Sequence, residues 1–137
     1  MHMVKKLGRY LSGYWKTILL AGMILYASLF RVPHLSLPPI VHGDKWAHIL
    51  MYALLGGMAW WDSERCRVKG WRRVLVSVIV PILYGGAIEW VQEQWFYPRK
   101  GDWVDWLADS IGVVVGCGIV MAIYAIKTAR DDARMVK

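Results

Sequence analysis

The apolar residues of this 137-residue chain are gathered into four blocks, and that gathering limits its fold more than any other feature. Tyr14–Val32, Trp46–Trp61, Val74–Trp95 and Val104–Ile126 run for 19, 16, 22 and 23 residues. A helix that crosses a bilayer needs about 20 residues, within a range of roughly 17–25. The first, third and fourth blocks meet that length. The second is shorter and carries His48, so a buried or re-entrant segment is its alternative to a span. With 57% of residues hydrophobic, the sequence predicts an all-α integral membrane four-helix bundle. Its helices are placed at about 14–32, 46–61, 74–95 and 104–126, within one domain covering 1–137.

Charge orients the spans. Lys and Arg gather on the cytoplasmic flanks of membrane helices. The N-terminal segment through Lys16, the 62–73 loop and the C-terminal tail hold 13 of the 17 basic residues. Arg31, Lys45, Arg99 and Lys100 are left for the other side, and both termini are therefore expected in the cytoplasm. The +7 formal charge is thus an orientation signal and not a nucleic-acid footprint. The first block follows Lys5, Lys6 and Arg9, as a secretory signal would, but no small-x-small cleavage site follows it. A retained signal-anchor helix is expected. The two cysteines, Cys66 and Cys117, fall at different membrane depths and are not expected to pair.

Between the first two blocks, Pro33, Pro38 and Pro39 interrupt helix and predict an outer loop over 33–43. Asp44 suits the N-cap of the second helix. Pro81 with Gly85-Gly86 predicts a kink midway along the third. Gly112 and Gly116 give the fourth a small-residue face for close helix approach. Eight of the nine tryptophans lie near a predicted membrane end, where amphipathic rings anchor a span.

Three polar stripes begin at the outer ends of these helices. At about 100° per residue, Asp102, Asp105 and Asp109 fall within roughly 60° of arc, on the face that Gly112 and Gly116 continue. Asp44, His48 and Tyr52 stand at i, i+4 and i+8, one face of the second helix. Glu89, Gln92 and Glu93 cluster on the third, one turn beyond Gly85. Tyr52, Asp109 and Glu89 are expected roughly 9–12 Å below the outer ends, with Arg99 and Lys100 in the connection above. Ionisable groups at that depth are functional candidates, because leaving them unpaired costs several kcal/mol. Asp102 and Asp44 also have a capping role open to them, and Glu93 reads equally as a surface acid. Glu89 and Asp109 lie on glycine-bearing faces and are expected to approach each other.

These residues carry a resemblance. Asp44-Lys45-x-x-His48-x-x-x-Tyr52 resembles the D-K-x-x-H-x-x-x-Y motif of VanZ-like membrane proteins. Glu89-x-x-Gln92, followed by Arg99-x-x-Asp102-x-x-Asp105-x-x-x-Asp109-x-x-Gly112, is similar to that family's E-x-x-Q … R-x-x-D-x-x-D-x-x-x-N-x-x-G segment. Asp109 stands where the family usually has Asn, which adds an acid to the site. The resemblance covers about residues 20–125 and implies a small multi-pass protein of the bacterial cytoplasmic membrane. The family is named after a protein associated with lowered susceptibility to the glycopeptide teicoplanin, so the name supplies a class and not a reaction.

The leading expectation is an envelope protein that binds the headgroup of a membrane lipid or lipid-linked precursor in an outer-facing polar pocket. Asp44, Lys45, Tyr52, Gln92, Arg99, Asp102 and Asp109 are its candidate ligand-binding residues. The alternative is a membrane-embedded hydrolase or transferase, with His48, Glu89 and Asp105 as candidate acid–base groups. A proton or ion pathway and an assembly subunit are weaker alternatives. A metal-assisted version of the enzyme ranks below these, since His plus carboxylates can ligate a divalent ion but no spacing specifies one; neither metal nor cofactor is the leading expectation. The sequence sets no oligomeric state.

Overall fold

The computed structural model describes Gly8 and residues 11–30, 43–96 and 101–135. Those residues form helices and connecting turns, with no strand among them. We number the helices α1 (Trp15–Leu29), α2 (Gly43–Arg65), α3 (Trp71–Trp95) and α4 (Trp103–Met135). α3 and α4 are each long and apolar enough to cross a membrane. The expected outer loop over 33–43 lies outside the described residues except for Gly43, as do Arg99 and Lys100.

α1 stops at Leu29, short of the expected 14–32 and of spanning length, because the chain bends at Phe30; the other three helices extend past the apolar blocks that announced them. α2 starts at Gly43 and ends at Arg65, not 46–61; α3 starts at Trp71, not 74; α4 runs on to Met135, not 126. Hydropathy detects the part of a helix that suits oil, whereas backbone bonding continues wherever propensity allows. The tail beyond Ile126 is rich in Ala, Arg and Lys, good helix formers, with Lys127 and Asp131 spaced i, i+4. The expected 62–73 loop shrinks accordingly to a turn around Cys66–Gly70.

That turn is a Schellman closure. Val68 N–H donates to Ser63 O at 2.9 Å and Arg67 N–H to Glu64 O at 3.1 Å. The motif places its hinge residue in the left-handed region, where Arg67 sits with φ 56°. Arg73 then bolts the turn from α3. Its guanidinium bonds both oxygens of Glu64, its Nε donates to Val68 O at 2.8 Å, and it lies 5.3 Å over the Trp60 ring.

Where the sequence predicts a kink, α3 carries a π-helical segment, Leu75–Ile79, just before Pro81, and runs on as α-helix through Gly85-Gly86. Proline has no N–H, so the carbonyl four residues back, at Ser77, loses its helical donor. The π segment carries the wide turn, with Val80 N–H bonded to Leu75 O. The Cys117 thiol of α4 stands 3.3 Å from the orphaned Ser77 carbonyl and 3.3 Å from Gly56 O, donating to one at a time.

α2 and α4 form the closest pair, and glycine is the reason. A Cβ at Gly112 or Gly116 would collide with the carbonyl oxygens of Ile49 and Ala53, and one at Gly56 would lie 2.8 Å from Val113 O. Contacts between the two helices keep a nearly constant offset: Lys45 with Asp105, His48 with Asp109, Gly57 against Gly116, Trp61 with Tyr124. They therefore run parallel. α3 runs the other way, since Glu89 meets Asp102 while Ser77 meets Ser63. α1 follows α3, with Thr17 on Asp62, Tyr84 Oη donating to Ala21 O at 2.6 Å, and Gln92 Nε2 to Ser28 O at 2.7 Å. A core of Ile24, Tyr52, Leu55, Ile88 and Val113 fills the interior.

Candidate functional site

The parallel register of α2 and α4 brings the two motif segments side by side. Lys45 opens the contact, its Nζ 2.9 Å from Asp105 Oδ1 and 3.4 Å from Asp102 Oδ2. One turn deeper, His48 Nδ1 stands 2.8 Å from Asp109 Oδ1. Glu89 joins from α3, its Oε2 accepting the Asp102 backbone N–H at 3.0 Å. One nitrogen of His48 and one carboxylate oxygen each of Glu89 and Asp109 lie within 4.8 Å of one another.

Asp102 does what its position before α4 predicts. It caps the helix, its Oδ1 accepting Val104 N–H at 2.8 Å, and it pairs with Lys45 as well. The Val104 bond, followed by Lys45, holds the Asp102 carboxyl below its ordinary range. The hydrogen bond to Asp105 chiefly raises the Lys45 ammonium above its own. Capping and pairing thus coexist in one side chain.

Exposure falls steadily inward. The side chains of Asp102 and Lys45 are 46% and 33% exposed, Asp105 and His48 are 14% and 11%, and Asp109 is 1%. Glu89 and Tyr52 are buried beside it. In place of the expected open pocket, the polar side chains run from an exposed rim at Asp102 and Lys45 to a buried floor at Asp109, a run called the well below. Gly85 shapes that floor, because a Cβ there would lie 2.8 Å from Asp109 Oδ2 and 3.2 Å from the Tyr52 ring. Asp109 Oδ2 is buried with no hydrogen-bond partner among the described residues.

Not every candidate joins the well. Gln92 is buried, but its amide is taken by the Ser28 carbonyl, so it ties α1 to α3 instead. Asp44 falls inside α2, which begins at Gly43, and not at its cap; its side chain lies outside the described residues. Arg99 lies outside them too. Glu93 is exposed, as a surface acid would be. It lines a cleft of ≈ 60 Å³ beside the well, with Glu89, Asp102, Trp90, Trp103 and Trp106.

A second polar network at the opposite end escaped the sequence reading. Thr17 Oγ1 donates to Asp62 Oδ2 at 2.7 Å, and hydroxyls run from Tyr14 to Ser63 at 2.8 Å and on to Ser77 at 3.1 Å. Asp62 and Ser63 are fully buried. Both were assigned to a loop because they follow the apolar block. The usable signal was the small-residue face Gly56, Ala59, Ser63, at i, i+3 and i+7, which carries helix α2 past Trp61.

Compared with known proteins, the chain matches no family model, no curated protein and no solved structure.

Proposed function

We propose that this chain is a VanZ-like protein of the bacterial cytoplasmic membrane that binds the headgroup of a lipid or lipid-linked envelope precursor. In this reading the four helices form a membrane bundle with both termini inside. The well and its cleft then open outward. Membrane residence is supported by outward-facing apolar surface: only 28% of the apolar window of α3, and of α4, is buried within the protein. A soluble protein's core helix would be mostly covered, and exposed apolar area on this scale needs a partner. Orientation rests on the basic residues, since the 65–73 turn and the α4 tail lie at one end and the well at the other.

The observation that carries the binding reading is the cleft, where three carboxylates meet three tryptophans at the rim of the well. Its volume admits a few water-sized polar groups and not an acyl chain. Indole rings suit the headgroup level, and carboxylates accept hydrogen bonds from hydroxyls or amines. Mass spectrometry of lipid extracted from the purified protein tests it. One phospholipid or precursor class retained by the wild type, and depleted in Trp103→Ala and Asp102→Asn, supports the reading. Identical lipid in all three contradicts it. A link to teicoplanin susceptibility is checked by expressing the wild type and both variants in a susceptible host.

The His48–Asp109 pair favours one second reading, acid–base chemistry on a lipid-linked substrate. An oriented imidazole beside Glu89 is a plausible proton-transfer arrangement. Product formation that requires His48 separates catalysis from binding alone.

A further inference from the structure

We infer that His48, Glu89 and Asp109 form a binding site for a single divalent cation of the zinc or manganese class. The inference rests on the geometry of the well and not on headgroup binding, and it goes beyond that reading. The three residues come from three different helices, yet their ligand-bearing atoms lie within 4.8 Å of one another. No sequence spacing announces such a site, which is why a metal was not the leading expectation.

Three features point to a cation. Two carboxylates approach each other in a place with little water, where mutual repulsion and desolvation both oppose them. Among the described residues, Lys45 is committed to Asp102 and Asp105, and His48 meets Asp109 at Oδ1 alone. Asp109 Oδ2, on a side chain 1% exposed, has no donor among the described residues and lies over Gly85, where a Cβ would stand 2.8 Å from it. The missing Cβ leaves the space beside this oxygen, and Glu89 follows one turn along the same face of α3.

The donor set fixes the class. Imidazole suits zinc and other first-row transition ions, carboxylates suit manganese and magnesium, and a mixed set falls between. Tetrahedral ligand atoms about 2.0–2.2 Å from zinc lie roughly 3.3–3.6 Å apart. Reaching that spacing from separations of up to 4.8 Å requires the ligand atoms to close by about 1.2–1.5 Å at most, shared among the three side chains. Three protein ligands would leave one position of a tetrahedral ion for water or a headgroup phosphate.

The test uses full-length protein purified in detergent, stripped with chelator and titrated with Zn²⁺, Mn²⁺ and Mg²⁺ in turn. Calorimetry gives stoichiometry, and Co²⁺ substitution gives a visible spectrum that reports coordination. The expected result is one Zn²⁺ or Mn²⁺ per chain, held more tightly than Mg²⁺. Loss of an outer hydrogen-bond partner alone typically weakens metal binding about 10–100-fold. Asp109→Asn and Glu89→Gln are expected to reach or exceed about 100-fold, while Asp62→Asn, at the other end, leaves affinity unchanged. Retained thermal unfolding of the stripped variants shows that they fold. Absence of binding at millimolar metal overturns the site, as does equal binding by wild type and the Asp109→Asn, Glu89→Gln double variant. Lipid retention measured with chelator present keeps failure of this site distinct from failure of headgroup binding.

Discussion

At the residue scale, the well is governed by what each carboxylate accepts. Asp109 presents one oxygen to His48 and turns the other to the space over Gly85. Replacing it with Asn removes a buried charge while preserving shape. Asp109→Asn is therefore expected to match or exceed the wild type in thermal unfolding with chelator present; a clear loss of stability would make the carboxylate an essential structural acid. Gly85→Ala acts in the opposite sense. Alanine gains about 1 kcal/mol of helix propensity, but its Cβ would press Asp109 Oδ2 and the Tyr52 ring. Overpacking of this kind costs about 1–3 kcal/mol, so net destabilisation is expected in the same melting assay. At the rim, Lys45 and Asp102 sit outside the apolar blocks and titrate at opposite ends of the pH scale. The depressed Asp102 carboxyl contributes stability that is complete above its ordinary value of 3.8 and is lost as pH falls through the lower folded value. The raised Lys45 ammonium contributes stability that is complete below 10.5 and is lost as pH rises through the higher folded value. The melting difference between wild type and Lys45→Met should thus stay level from about pH 5 to pH 9 and shrink toward both extremes. A difference that changes near neutrality would assign the pairing to another titrating group.

At the scale of elements, the α2–α4 contact and the Cys66–Gly70 turn carry separate predictions. Gly116 lies so close to the Ala53 carbonyl that no side chain fits between. Gly116→Ala should destabilise by at least about 1–3 kcal/mol, and cross-linking of cysteines placed at positions 48 and 109 should report the loss of register. Arg67 occupies a left-handed position without being glycine, at a strain of roughly 1–2 kcal/mol. Arg67→Gly is expected to raise the melting temperature slightly; a fall would show that the arginine side chain contributes more than its backbone costs. The helices themselves were legible wherever oil-compatible runs exceeded about 20 residues. Their polar extensions were not, because a helical backbone carries no hydropathy signal once it leaves the apolar zone. Pro81 marked the place in α3, while the partner that meets the Ser77 carbonyl, Cys117, lies 40 residues away. Such long-range satisfaction has no local signature.

At the scale of the whole molecule, two polar groups are buried at opposite ends of an apolar interior. The one around His48 was legible because three helical stripes shared a starting level, and parallel packing of α2 with α4 turned that level into contact. Gln92 was misplaced because spacing along a helix selects a face but not the neighbour that face meets. The inner network of Asp62, Ser63 and Ser77 was missed since its residues sit just beyond the apolar blocks. In the proposed membrane bundle the two ends face different compartments, and headgroup binding depends on the well facing outward. Vectorial cysteine labelling tests this most directly, with Cys66 marking one end and Glu93→Cys, in a Cys66→Ser background, marking the other. An impermeant maleimide applied to intact cells is predicted to label position 93, and to reach Cys66 only after permeabilisation. Labelling of Cys66 in intact cells, with position 93 protected, would contradict the account.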